Sequence, residues 1–87
     1  MREHYLCILK LFFRAYLVET RERLNLTQAK MAQRLAMDDR SYIDLDHGRY
    51  SCSALTLALF LLYCCPEPMD FLTRLRVALE TEVDHVA

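Results

Sequence analysis

The stretch from Gln28 to Asp46, QAKMAQRLAMDDRSYIDLD, decides the fold. Its apolar positions are Met31, Leu35, Met37, Tyr42 and Leu45, with small Ala32 among them. Met31 and Leu35 stand four apart and Tyr42 and Leu45 three apart, so each pair shares one helix face. Met37 falls between the pairs and plugs the turn. Two short helices packed at a steep angle need this arrangement, and Ala32 is small because the second helix crosses close to it. Thr27 is the N-cap before the first helix and Asp38 the N-cap before the second.

Outward from this unit the punctuation is sparse, with one Gly and two Pro in 87 residues. Asn25 follows a long periodic segment as a left-handed cap, with Leu26 as its hydrophobic partner. Gly48 ends the second short helix, and Ser53 caps the next one. Pro66 and Pro68 close that helix and open the last, Pro68 in the permitted first turn. The reading predicts five helices over 4–24, 28–35, 39–46, 54–64 and 68–82. No segment alternates with period two, so the fold class is all-α without a sheet. One domain is expected over 1–87, with a helical extension at 1–8, the two-helix unit at 28–46 and a C-terminal helix at 68–82.

Hydrophobic residues make up 54% of the chain, which argues against disorder, and the net charge is −1. The charge is uneven. Residues 1–35 carry seven Lys/Arg against three Asp/Glu (+4), residues 36–49 two against four (−2), and residues 50–87 two against five (−3). Compact nucleic-acid binders usually carry a basic excess, because phosphates dominate affinity.

The cysteines, Cys7, Cys52, Cys64 and Cys65, form no C-x-x-C pair and read as free buried thiols in a reducing cytoplasm. A metal site from His47, Cys52 and Cys64 or Cys65 is the alternative, but its spacing matches no zinc pattern. No metal and no other cofactor is therefore expected. His4, His47 and His85 read as surface residues. Ser41, His47 and an acid make a conceivable triad, but nothing supplies an oxyanion hole, so no catalysis is expected. Glu3, His4 and Lys10 interrupt the apolar start, which lacks a signal-peptide core. The apolar run 54–65 is too short to span a bilayer. The expected location is the cytoplasm, away from membranes.

The longer stretch from Arg21 to Arg49, RERLNLTQAKMAQRLAMDDRSYIDLDHGR, resembles the Cro/C1 (XRE) helix-turn-helix family. The resemblance rests on Arg21, Gln28, Ala32, Asp46 and Gly48 at the family's spacings and, with flanking helices, covers about residues 9–65. It implies a five-helix, lambda-repressor-like DNA-binding domain. The implied function is a transcriptional regulator that binds double-stranded DNA, as a homodimer. It also implies roles. Arg21 and Asp46 match a structural ion pair, with Asp where the family usually has Glu; the shorter arm weakens the pair or draws the helices together. Thr27 and Gln28 match the helix start that faces a phosphate. Asp39, Arg40, Ser41 and Asp44 match the outward residues of the recognition helix, and Arg49, Tyr50 and Ser51 the loop that touches the backbone.

Two departures bear on those roles. Ala36 stands where the turn often has Gly, which costs about 1 kcal/mol if it is left-handed. Asp39 and Asp44 would face DNA; an aspartate accepts from a cytosine amino group, but phosphates repel it. Ile43, also outward, suits a thymine methyl or a protein. The rival reading is therefore a helix-turn-helix fold used for protein–protein interaction, its acidic helix meeting a basic partner.

The helix at 54–64 is apolar on more than one side. Leu57, Phe60, Leu61 and Cys64 form its expected core face, while Leu55, Leu59 and Leu62 form a second stripe. Cover is expected from the N-terminal segment (Leu6, Leu9, Phe12, Phe13), from the last helix (Phe71, Leu72, Leu75, Val77, Leu79), and from a second copy of the chain. Leu55, Leu59 and Leu62 are thus the candidate dimer interface.

Overall fold

A computed structural model describes the backbone of residues 1–86 and the side chains of residues 1–81. Among them the protein is all-α, with five helices and no strand: α1 (Arg2–Arg23), α2 (Gln28–Arg34), α3 (Asp39–Asp46), α4 (Ala54–Leu59) and α5 (Pro68–Val86). A π-helical turn, Phe60–Cys64, continues α4. The first helix starts two residues before its sequence-based boundary and ends one residue short of it, and the last runs four residues past its own.

α1 supplies one wall of the core. Ile8, Phe13, Tyr16, Leu17 and Thr20 recur at helical spacing and are buried. Phe13 meets Phe60 edge-on at 5.3 Å between ring centroids, and Phe71 meets Tyr16 at 5.0 Å and Phe60 at 5.8 Å. Edge-to-face pairs of this kind add about 0.5–1.5 kcal/mol each beyond their buried area. They lock α1, the π turn and α5 together. The Tyr16 hydroxyl donates to Asp70 Oδ2 at 2.8 Å, and the Arg74 guanidinium lies 5.7 Å above the Tyr16 ring. Burial, then the bond to Asp70, holds the Tyr16 phenol protonated far above the usual tyrosine range.

Three helices end in the same way. Asn25 (φ 57°), Ala36 (φ 56°) and Gly48 (φ 73°) are left-handed. In each case the next residue's N–H bonds a carbonyl five residues back: Leu26 to Arg21, Met37 to Ala32, Arg49 to Asp44. Those are Schellman terminations, which satisfy the orphan carbonyls of a helix end. Ala36 therefore occupies the strained conformation without the glycine that would relieve it. The starts are capped by side chains: Thr27 accepts from Lys30 N–H, Asp38 from Ser41 N–H, and Ser53 from Thr56 N–H.

The inner faces of α2 and α3 agree with the sequence pattern. Met31, Ala32, Leu35, Tyr42 and Leu45 are buried, and Met37 packs against them from the turn. The helix at 54–64 differs from expectation, because it is α-helical only to Leu59. Cys65 precedes Pro66, whose ring pushes it to extended backbone (φ −83°, ψ 117°). The last turn widens, Cys65 N–H bonds the Phe60 carbonyl, and both Cys64 and Cys65 are buried beneath it. Phe60 is buried as expected, Leu57 and Leu61 only partly, and Thr56 joins the interior unforeseen.

The leucine stripe is not covered within the chain. Leu59 is half-buried against the core, but Leu55 and Leu62 keep 68% and 71% of their surface exposed. Among the described residues, the cover expected from within the chain does not reach Leu55 and Leu62, because α1 and α5 pack chiefly on each other, leaving Leu6, Leu72 and Val77 exposed as well. Two further corrections concern cysteine and histidine. Cys7 is exposed and Cys52 half-buried, so only Cys64 and Cys65 are buried thiols. His4 is half-buried on α1 rather than at the surface, whereas His47 is exposed as expected; His85 lies outside the described side chains. Among the described residues no helix is long and apolar enough to cross a membrane.

Candidate nucleic-acid interface

α3 is eight residues long, too short to persist alone, so its order depends on what holds it. Its inner face is held by Tyr42, Leu45 and Asp46, all buried. Asp46 is the polar anchor. Its Oδ1 accepts from the Tyr42 hydroxyl at 2.9 Å and its Oδ2 from Gln28 Nε2 at 3.2 Å. Arg21 Nε stands 3.4 Å from Oδ1, and Arg21 Nη1 donates to the Leu26 carbonyl at 3.2 Å. The Arg21 Nε–H is buried without a hydrogen-bond acceptor in good geometry. The two charges therefore attract across an ion contact rather than a directed bond, and the short aspartate arm accounts for the gap. Burial and the bond to Asp46 hold the Tyr42 phenol protonated, far above its ordinary range.

A second tie comes from Arg14, which the sequence reading passed over. Its Nε donates to the Asp46 carbonyl at 2.9 Å, capping the end of α3 from α1. A Cβ on residue 48 would meet Arg14 Cδ at 3.2 Å. Gly48 thus answers two demands, a positive φ and the close pass of Arg14. An Arg set between the buried Phe13 and Leu17 was the only sequence signal for this tie, and it is a weak one.

The outward residues are arranged around Asp44. Arg40 Nε lies 3.7 Å from Asp44 Oδ2, and Arg49 Nη1 is in direct contact with Asp44 Oδ1. The side chains of Arg40 and Arg49 are 80% and 56% exposed, while that of Asp44 is 27% exposed. Two cations thus converge on one half-buried carboxylate. Asp39 is exposed and has no ion-pair partner among the described residues. Ser41 is engaged twice by Asp38, through its N–H at 2.7 Å and its hydroxyl at 3.0 Å. These bonds hold the Asp38 carboxyl below the usual carboxylate range. The Tyr50 hydroxyl donates to the Ser41 carbonyl at 2.7 Å, which folds the 49–51 loop back along α3. Burial raises the Tyr50 phenol, with Asp44 and Asp38 adding to the shift. Ser51 is half-buried in that loop and Ile43 half-buried on α3.

The start of α2 is arranged differently from the expectation. Thr27 spends its hydroxyl oxygen on the Lys30 N–H at 3.1 Å, and the Gln28 amide turns inward to Asp46. The groups exposed on α2 are instead Ala29, Lys30, Gln33 and Arg34. No group of three His, Cys, Asp or Glu among the described residues is close enough to hold a metal ion. His47, Cys52, Cys64 and Cys65 are thus not assembled into the alternative metal site. Compared with known protein families, curated proteins and solved structures, the chain matches none.

Proposed function

We propose that the protein is a helix-turn-helix transcriptional regulator of the Cro/C1 type that binds double-stranded DNA. α2 would lie over the phosphate backbone and α3 would enter the major groove. One observation carries the reading: α3 is fastened to the core by its inner face, and its outer face presents Arg40 and Arg49, both on Asp44, from the helix and the loop that follows. The exposed Lys30 and Arg34 of α2 add phosphate-directed charge. Asp39 and Asp44 oppose it, so the affinity is modest and depends on low salt. With two to four cations engaged, log K should fall against log salt with a slope of about −2 to −4. A symmetric homodimer belongs to this reading, because it sets two recognition helices about one helical turn apart. Exposed Leu55 and Leu62, with half-buried Leu59, support it as the shared surface.

The second reading is a protein-interaction module with the same fold. The inward turn of Gln28 favours it, since that amide is no longer directed to a phosphate. Capture of genomic duplex fragments by the purified chain at low salt, followed by a salt titration, separates the two. Retained fragments with the expected slope support DNA binding. No retention at low salt hands the function to the protein partner.

A further inference from the structure

Asp44 looks like a liability for a DNA binder, since it adds a negative charge to the reading face. Its geometry gives it a use. An arginine presents five N–H donors in a rigid fork, with the Nε edge and the Nη1/Nη2 edge pointing in different directions. Arg40 turns its Nε toward Asp44 Oδ2, at 3.7 Å. That leaves its Nη1/Nη2 edge clear, the edge that matches O6 and N7 of guanine. The carboxylate is itself fixed. Its Oδ1 meets Arg49 Nη1, and the Arg49 backbone N–H bonds the Asp44 carbonyl at 3.0 Å. Tyr50, donating to the Ser41 carbonyl, holds the same loop against the helix. Arg40 is thus drawn to one side by an ion contact, longer than a hydrogen bond, with a carboxylate that is itself held.

We propose that Asp44 is a positioning residue for base recognition, which orients Arg40 to read a guanine and so restricts one position of the DNA site to a G·C pair. The inference rests on the DNA-binding reading and goes further, naming what α3 selects. It also separates two effects of one charge: Asp44 weakens attraction to every phosphate and sharpens preference at a single base.

The test is selection of duplexes from a randomised library by the full chain at low salt, with sequencing of the bound pool. Five proteins are compared: wild type, Arg40→Ala, Asp44→Asn, Asp44→Glu and Asp39→Asn. Asp39→Asn removes the same charge from the same face but braces no arginine. The wild type should select one position for G by roughly 5- to 150-fold over other bases, and Arg40→Ala should abolish that preference. Asp44→Asn should bind unselected duplex more tightly yet lose most of the G preference. Asp39→Asn should bind more tightly with the preference intact, and Asp44→Glu should recover part of it. A loss of discrimination at one base alone is a change that a purely structural aspartate would not produce. If Asp44→Asn keeps the full preference while affinity rises, Asp44 is only a repelling charge and the proposal is wrong. If the wild type binds duplex but selects no G that depends on Arg40, the proposal is wrong and DNA binding stands. If the wild type retains no duplex, the DNA reading fails and the proposal with it.

Discussion

Replacing Asp46 with Ala strands several groups at once. Unpairing a buried ion by deleting its partner costs about 3–5 kcal/mol. Arg21 keeps 17% of its side-chain surface exposed and a bond to the Leu26 carbonyl, which places its share at the low end. The Tyr42 hydroxyl, on a residue with no exposed surface, loses its acceptor, adding about 1–3 kcal/mol. These terms overlap, and we expect a total loss of about 3–5 kcal/mol, against roughly 4–13 kcal/mol of stability for a chain of 87 residues. Asp46→Asn is the informative companion. It keeps an acceptor for Tyr42, lets the Gln28 amide turn over, and removes only the charge, for about 1–2 kcal/mol. Urea unfolding followed by far-UV circular dichroism measures both, provided the denaturant slope is unchanged. An Arg21→Met, Asp46→Ala double-mutant cycle should return a coupling of about 0.5–3 kcal/mol. An Ala loss under about 1 kcal/mol would refute the reasoning, since α3 would then be held by its apolar face alone, and equal losses for Ala and Asn would refute the share given to the Tyr42 hydroxyl.

Three more outcomes follow from single features. Ala36→Gly relieves a left-handed alanine and should raise stability by about 0.5–1 kcal/mol in the same assay, despite the extra freedom of the unfolded chain; a destabilised variant contradicts the strain. The Asp38 carboxyl is depressed by its bonds to Ser41, so its contribution is present above the unfolded-state pKa and is lost as pH falls below about 4. Asp38→Asn caps without a charge, so its stability relative to wild type should improve between pH 7 and pH 3, and a constant difference tells against the shift. Sedimentation of the wild type beside a Leu55→Glu, Leu62→Glu variant tests the homodimer: a dimer that becomes a folded monomer is the expected result, and a monomeric wild type at high concentration removes the interface.

The parts of this fold that could be read in the sequence are those governed by a residue's own chemistry. Thr27, Asp38 and Ser53 cap because a short side-chain oxygen reaches the first-turn N–H groups, and Asn25 and Gly48 tolerate positive φ. The core rows of α2 and α3 follow from spacing alone. Arg21 and Asp46 could be paired on paper, but the inward turn of Gln28 could not. It depends on the short aspartate leaving Oδ2 within reach of a neighbouring helix. Arg14 was missed for a similar reason: its partner is a backbone carbonyl 32 residues away, which no side-chain pattern records. The π turn escaped because Pro66 acts on the backbone upstream of it, shifting phase without altering the apolar pattern. The second apolar stripe of Leu55, Leu59 and Leu62 was legible from spacing, but how α1, α5 and a second copy would share its cover was not, because that depends on how the outer helices pack.

That α3 is fastened to the core from behind has a consequence for how such a chain can change over time. Asp39, Arg40 and His47 lie outside the buried cluster and cap nothing, so replacing them perturbs no core packing, whereas Asp44 still ties Arg49 and its loop to the helix. The fold therefore tolerates variation on the exposed side of α3 and resists it at Tyr42, Leu45, Asp46 and Gly48. A lineage built on this scaffold would keep its inner residues and drift at its outer ones, acquiring new partners through a handful of neutral steps without passing through an unfolded intermediate.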